Sequence, residues 1–77
     1  MKVNFLIPEP DGNGDWDYTK TSFLTSAELE IPVDVLEHMI EKVIVIEQRG
    51  RFLVLAYEYK LYNDELYIQV YVTKAWE

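Results

Sequence analysis

The sequence predicts a small α+β domain that spans residues 1–77, with elements in the order β-β-α-β-β-β. Three observations predict this fold. Residues 43–76 alternate like a three-stranded antiparallel meander, one short amphipathic segment precedes them, and two strand-like segments precede that segment. We therefore expect a small, mostly antiparallel sheet with one short helix packed on one face. A chain of 77 residues allows one domain.

The register of the meander is predicted from two turns, Arg49-Gly50 and Asn63-Asp64, which can supply the positive φ angles of two-residue hairpins. With these turns, one face collects apolar side chains from all three strands. The set comprises Ile44, Ile46, Leu53, Leu55, Tyr57, Tyr59, Leu61, Leu66, Ile68, Val70 and Val72. A slip of one residue would move this set to the other side of the sheet. We therefore predict that this face is the core and that the helix covers it.

The opposite face of the meander, called the second face below, also carries an apolar strip. The strip consists of Val45, Phe52, Val54, Tyr67 and Tyr71. Three interpretations remain open: a solvated face built from good strand formers, a contact surface for a partner or a second copy, and a face covered by the N-terminal segment. The strip is the predicted partner-binding or homodimer surface.

The N-terminal half begins with a short strand that Pro8 and Pro10 are expected to end. Residues 8–18 then form a predicted acidic loop rich in proline and glycine. Strand character returns over residues 23–31. This order places a long acidic connection between the first two strands.

The helix is predicted over about ten residues from Pro32, because proline is tolerated in the first turn. Its apolar stripe consists of Val33, Leu36, Met39 or Ile40, and Val43. A helix this short is not stable in isolation. The stripe must therefore pack on the sheet.

Charge is unevenly distributed along the chain, whose formal net charge is −7. Residues 1–42 hold nine acidic and three basic residues, whereas residues 43–77 hold five and four. Direct binding to nucleic acid or to anionic membranes is disfavoured, because both need a basic surface. A basic protein would be attracted. Solubility is the simpler explanation of the same acidity.

The compartment is predicted from what the sequence lacks. Its apolar runs are much shorter than the roughly 20 residues that cross a bilayer. No basic region followed by an apolar core marks a secretory signal. We expect a cytoplasmic protein. The absence of cysteine removes disulfides and thiolate ligands.

The acidic loop has a partial resemblance to an EF-hand calcium loop. Asp11, Asn13, Asp15 and Asp17 occupy alternate positions, as oxygen ligands for Ca²⁺ do. Trp16 stands where the sharp turn needs glycine, and Ser22 stands where the bidentate glutamate belongs. We therefore expect a solvated acidic loop and no metal or other cofactor.

Catalytic chemistry is not predicted. The single histidine, His38, lies on the expected exposed side of the helix among carboxylates. Nucleophilic catalysis needs a nucleophile beside a base that a third group holds, and no such set is evident. We expect no catalytic residues and no enzymatic activity.

The function hypothesis is a non-enzymatic protein-binding module whose partner has a basic surface. Aromatic residues beside acids suit such a contact, because the rings anchor and the carboxylates steer. The predicted contact residues in the acidic loop are Asp11, Asp15, Trp16, Asp17 and Tyr18. An inhibitor or adaptor of the viral kind, which masks a nucleic-acid-binding surface, would have this composition. The alternative is a homodimer that uses the second face.

Overall fold

The strands and the helix follow one another in the predicted order. The computed structural model describes residues 2–28, residue 30 and residues 33–75. Its elements are β1 (Lys2–Pro10), β2 (Trp16–Glu28), α1 (Val33–Met39), β3 (Val43–Ile46), β4 (Gly50–Tyr62) and β5 (Glu65–Lys74). Strands dominate, so the protein is a small sheet-rich domain with five strands and one short helix. The predicted role of Pro32 lies outside the described residues.

The five strands form one sheet in the order β2-β1-β5-β4-β3. The predicted C-terminal meander is confirmed, since β3, β4 and β5 are antiparallel neighbours. The β1–β2 hairpin joins it through β1, which runs parallel to β5 from Lys2 opposite Tyr67 to Leu6 opposite Tyr71. β1 is therefore an interior strand, and α1 connects β2 at one edge of the sheet to β3 at the other.

The core lies between α1 and one face of the sheet. The buried cluster comprises Val3, Phe5, Leu36, Phe52, Val54, Ile68, Val70 and Val72. From the helical side, Leu36 is buried and Met39 and Ile40 pack against the cluster, as predicted. The predicted placement of Val43 as the last residue of the stripe is wrong, since it lies in β3 and is 45% exposed. The helix ends at Met39, earlier than expected. Glu41 takes a positive φ of 65°, a left-handed conformation that is common just beyond a helix C-terminus.

The first predicted turn of the meander is wrong. Arg49-Gly50 is not a two-residue hairpin; residues 47–49 form the turn instead, with Gln48 at a φ of 66°. The Arg49 N–H donates to the carbonyl of Ile46 at 2.9 Å. This bond closes a four-residue turn from Ile46 to Arg49, in which Gln48 is the third residue. A positive φ at that position usually selects glycine. Because Gln48 supplies it, the register moves and Ile44 lies opposite Phe52.

A bulge in β4 places Phe52 and Val54 on the core face, so their predicted placement on the second face is wrong. Phe52 is 4% exposed and Val54 is 1% exposed. The ladder between β4 and β5 shifts between Val54 and Ala56, which leaves Leu55 as an extra residue. A β-bulge of this kind reverses the alternation of side chains. Phe52, Val54 and Tyr57 therefore all face the core.

The second predicted turn is confirmed. Asn63 and Asp64 have φ angles of 50° and 61°, as a two-residue hairpin turn requires. Leu61 lies opposite Leu66 as predicted, and the same register continues through Tyr59 opposite Ile68 and Tyr57 opposite Val70. The predicted pair Leu55–Val72 is wrong, since Val54 occupies that place. The predicted register is therefore confirmed from the Asn63-Asp64 turn as far as Tyr57 and is wrong beyond the bulge.

The predicted acidic loop is mostly strand. The first strand runs through Pro8 to Pro10, and only residues 11–15 connect it to β2. The pairing of β1 with β5 ends at Leu6, so the prolines lie where that side of β1 is unpaired. Proline is tolerated at such an edge because no ladder bond is lost.

The observed register predicts very different losses of stability for two valines that lie on opposite faces of the meander. Val54→Asp would bury an unpaired carboxylate beneath α1 and should cost several kcal/mol, on the order of the whole stability of a domain this small. Val45→Asp should change stability by less than about 0.5 kcal/mol, because Val45 is 75% exposed. Urea denaturation followed by circular dichroism measures both. Equal losses in the free energy of unfolding in the two variants would contradict the placement of Val54 on the core face and Val45 on the second face.

Candidate protein-interaction surfaces

The β1–β2 hairpin extends past its junction with the rest of the sheet and forms an acidic arm, residues 8–18. The β1–β5 pairing stops at Leu6, whereas the β1–β2 pairing continues to Pro10 opposite Trp16. The connection is closed by a bond from the Asp11 N–H to the Asp15 carbonyl, 3.1 Å long. The arm is therefore an ordered hairpin.

The carboxylates of the arm are held by the arm itself. Asp11 Oδ1 accepts the N–H groups of Asn13 at 2.7 Å and of Asp15 at 3.2 Å. Asp15 Oδ1 accepts the N–H of Trp16 at 2.8 Å. Such bonds from an aspartate to the following backbone are a common means of stabilising a turn. Two of the predicted contact residues, Asp11 and Asp15, therefore shape the turn with one oxygen each.

Asp17 is held in a similar way by Thr19. Asp17 Oδ1 accepts the Thr19 hydroxyl at 2.5 Å and the Thr19 N–H at 3.0 Å. The hydroxyl bond, followed by the N–H bond, lowers the pKa of Asp17 below its usual value. Hydrogen bonds to the ionised form have this effect because they stabilise the carboxylate. Asp17 therefore stays charged to lower pH than a free aspartate.

Tyr18 links the arm to the second face of the sheet. Its ring meets the ring of Tyr71 edge-on, with centroids 4.8 Å apart and an interplanar angle of 62°. Tyr71 is 5% exposed although it lies outside the core beneath α1. The N-terminal segment thus covers this part of the second face, which is one of the three interpretations that the sequence left open.

The Tyr71 hydroxyl lies in a polar cluster beneath the Tyr18 ring. It donates a hydrogen bond to the Glu58 carboxylate and lies 3.2 Å from Gln69 Oε1. Burial, followed by the bond to Glu58, raises the pKa of Tyr71 far above the usual value of a tyrosine. Burial also raises the pKa of Tyr18, with a smaller effect from the charge of Asp15.

The predicted strip on the second face does not form a single patch. Phe52 and Val54 lie in the core, and Tyr71 is covered by the arm. Val45 and Tyr67 do lie on the second face, where Val45 is exposed and Tyr67 half-buried. The Tyr67 hydroxyl donates to Glu65 Oε2 at 2.7 Å.

A shallow depression lies beside Tyr67 on the second face. Its volume is about 220 Å³, and its lining consists of Asn4, Lys60, Tyr62, Tyr67 and Gln69. This volume is below the roughly 300 Å³ at which small-molecule sites begin. Within the described residues, no three side chains of His, Cys, Asp or Glu come together to hold a metal ion. His38 is exposed on α1.

Sequence reasoning missed the apolar surface at the far end of the β4–β5 hairpin. Tyr59, Leu61 and Leu66 belong to the predicted core face, yet they are 42%, 72% and 45% exposed. The seven residues of α1 are too few to reach them. The mismatch between a short helix and two long strands was visible in the sequence and could have revealed this surface.

Comparison with known proteins gives no relative, since no family model, curated protein or solved structure matches the chain. In the parts of the chain that the structure describes, no helix is long and apolar enough to span a membrane.

The bond between Thr19 and Asp17 predicts a pH effect. Thr19→Val removes the hydroxyl and should raise the pKa of Asp17 toward its usual value. A carboxyl with a lowered folded pKa adds stability above its unfolded pKa, about 3.9, and this contribution is lost as pH falls through the folded value. The variant should therefore lose less stability on acidification. Carboxyl NMR titration measures the pKa, and Thr21→Val is the control. An unchanged Asp17 titration would contradict the assignment.

The Tyr71 cluster predicts the opposite pH dependence. Tyr71→Phe should cost about 1 kcal/mol at neutral pH through the lost hydrogen bond. A raised folded pKa gives stability that is present below the unfolded value, about 10, and is lost as pH rises beyond it. The variant should therefore show a smaller alkaline loss of stability. Thermal unfolding between about pH 8 and 11.5 tests this, with Tyr62→Phe at an exposed ring as the control. Identical alkaline losses in wild type and Tyr71→Phe would refute it.

Proposed function

We propose that the protein is a non-enzymatic protein-binding module that uses its acidic arm to bind a basic surface of a partner protein. The proposed role is that of an inhibitor or adaptor, of the kind viruses use, in which carboxylates occupy a nucleic-acid-binding surface in place of phosphates. The observation that carries the proposal is the arrangement of the three aspartates of the arm. In the part of the chain that the structure describes, each aspartate has one oxygen that accepts a hydrogen bond and one that has no partner.

The held oxygen is Oδ1 in Asp11, Asp15 and Asp17. Among the described residues, no hydrogen bond or ion pair engages Oδ2 of these three side chains. A free aspartate loses rotational freedom when it binds a cation, whereas an oriented one has already lost it. Lysine and arginine donors can therefore bind Oδ2 without disturbing the turn.

The charge of the arm is of one sign. Residues 8–18 contain Glu9 and the three aspartates, and they contain no lysine or arginine. Such a cluster raises the encounter rate with a basic protein and repels nucleic acid. The proposed partner is therefore a protein and not a nucleic acid.

The aromatic residues of the arm supply a second type of contact. Tyr18 is 38% exposed although one side of its ring packs on Tyr71, and Trp16 is half-buried at the start of β2. Rings that are already immobilised add contact area at a small entropic cost. Arginine can stack on their exposed surfaces.

The test uses an arginine-rich peptide as the probe and, as the variant, an arm that has lost three of its four negative charges. Asp11→Asn, Asp15→Asn and Asp17→Asn together remove three charges and keep an acceptor oxygen at each position, so the turn is preserved. The matched control, Glu37→Gln, Glu47→Gln and Asp64→Asn, removes three exposed charges elsewhere. Both proteins have the same net charge.

We expect NMR shift changes on peptide addition to concentrate in residues 8–20. The peptide should bind the arm variant at least about tenfold more weakly than the control, and the difference should shrink when salt rises from about 0.05 to 0.3 M. Equal weakening in the variant and the control would show that net charge alone attracts the peptide. That result would contradict the proposed site.

A further inference from the structure

Among the described residues, none pairs with the outer edge of β4 over most of its length. β3 pairs only with residues 50–53 of β4. Val54 is the last residue with a partner on that side, since it bonds to the backbone of Glu41 and Lys42. From Leu55 to Tyr62, no described residue pairs with the side of β4 opposite β5. Over eight residues of a long strand, every second residue therefore presents unpaired backbone groups.

This edge differs from the other edge of the sheet. β2 is irregular, because its pairing with β1 shifts twice, between Phe5 and Leu6 and between Pro8 and Glu9. Bulges of this kind protect an edge, since they twist it out of the geometry that a new strand needs. β4 pairs with β5 without a shift from Ala56 to Tyr62. It is the edge suited to the addition of a strand.

The apolar side chains next to this edge are also uncovered. Tyr59, Leu61 and Leu66 extend the core face beyond α1, and each is more than 40% exposed. Tyr57 joins them to the core, with its ring 6.1 Å from that of Tyr59. A strand added to β4 would bury this surface while it satisfied the backbone of the edge.

We propose that the occupant is a second copy of this chain, whose β4 pairs antiparallel with the first across a two-fold axis at Tyr59. Tyr62 and Glu65 close the hairpin turn, so the N–H and C=O groups of Tyr62, Lys60 and Glu58 point toward β5. Those of Tyr57, Tyr59 and Leu61 point outward. A two-fold pairing must bring outward groups together, which leaves only a few registers.

The charges on the edge favour one of these registers, because an axis at Tyr59 is the one that pairs Glu58 with Lys60. Glu58 and Lys60 lie two residues apart and on the same face, with Tyr59 between them. A two-fold axis at Tyr59 places Glu58 opposite the second copy's Lys60, and the reverse. An axis at Glu58 or at Lys60 would instead place like charges opposite each other, which is destabilising. Lys60 has no ion-pair partner among the described residues, so its ammonium group can pair with Glu58 of the second copy.

The same register matches the apolar side chains and the length of the edge. Tyr59 meets its own copy, and Tyr57 meets the second copy's Leu61 on the face that continues the core. Ala56 lies opposite the second copy's Tyr62, so the incoming strand ends in its Asn63-Asp64 turn near the start of β3. β3 and the second copy therefore use different stretches of β4.

The charge pair allows an exchange test. In Lys60→Glu, Glu58 faces a glutamate of the second copy, and in Glu58→Lys, Lys60 faces a lysine. Each single variant should raise the dimer dissociation constant at least about tenfold. An equimolar mixture of the two should form a heterodimer, because every cross-strand pair is then opposite in charge. Sedimentation equilibrium measures the mass against the 9.1 kDa of one chain.

Glu58→Lys also removes the acceptor of the Tyr71 hydroxyl, so a second measurement on the unmodified protein accompanies it. Amide hydrogen exchange of Tyr57, Tyr59 and Leu61 should slow as protein concentration rises, whereas exchange along β2 should not change. A protein that remains monomeric at about 1 mM with concentration-independent exchange would overturn the proposal. So would a dimer that Lys60→Glu leaves intact.

Discussion

The parallel pairing of β1 with β5 is the interaction on which the rest of the structure depends. It places Val3 opposite Ile68 and Phe5 opposite Val70, and all four are buried in one cluster. These contacts join the N-terminal hairpin and the C-terminal meander, which are distant in sequence, into one sheet. Because the pairing ends at Leu6, it also determines where the hairpin leaves the sheet and becomes the acidic arm. Without it, Val3 and Phe5 would be lost from the core cluster that Leu36 of α1 completes.

The bulge at Leu55 reconciles two demands on β4. Near its start the strand must present Phe52 and Val54 to α1, and further on it must present Tyr57 on the same side. Strict alternation cannot do both, because Val54 and Tyr57 are three residues apart. The extra residue, Leu55, shifts the alternation of side chains by one, so that Val54 and Tyr57 lie on the same face. It also leaves Glu58 on the second face, where its carboxylate can accept the Tyr71 hydroxyl. The bulge therefore positions both the core and the polar cluster under the arm.

The sequence predicts features that depend on neighbouring residues and misses those that depend on distant ones. The Asn63-Asp64 turn is local, so its register was predictable as far as Tyr57 opposite Val70. The first turn was not, because Gln48 adopts a positive φ that its side chain does not favour. The bulge keeps Val54 and Tyr57 on the same face of β4 and has no local signal in the sequence. In the arm, aromatic and acidic residues were identified from composition, but the covering of Tyr71 by Tyr18 requires the bulged path of β2.

The two proposed surfaces lie toward opposite edges of the sheet, so one partner can bind the arm while a second copy pairs with β4. The arm belongs to β1 and β2, and the free edge belongs to β4, with β5 between them. Pairing through β4 would therefore leave both arms exposed at the outer ends of a continuous sheet. Two arms on one rigid body raise the effective concentration of the second contact once the first has formed. A repetitive basic surface, such as a symmetric partner or a protein with a long binding groove, would then be bound more tightly than one arm allows. Dimerisation would in this way select for partners whose basic sites have the spacing of the two arms.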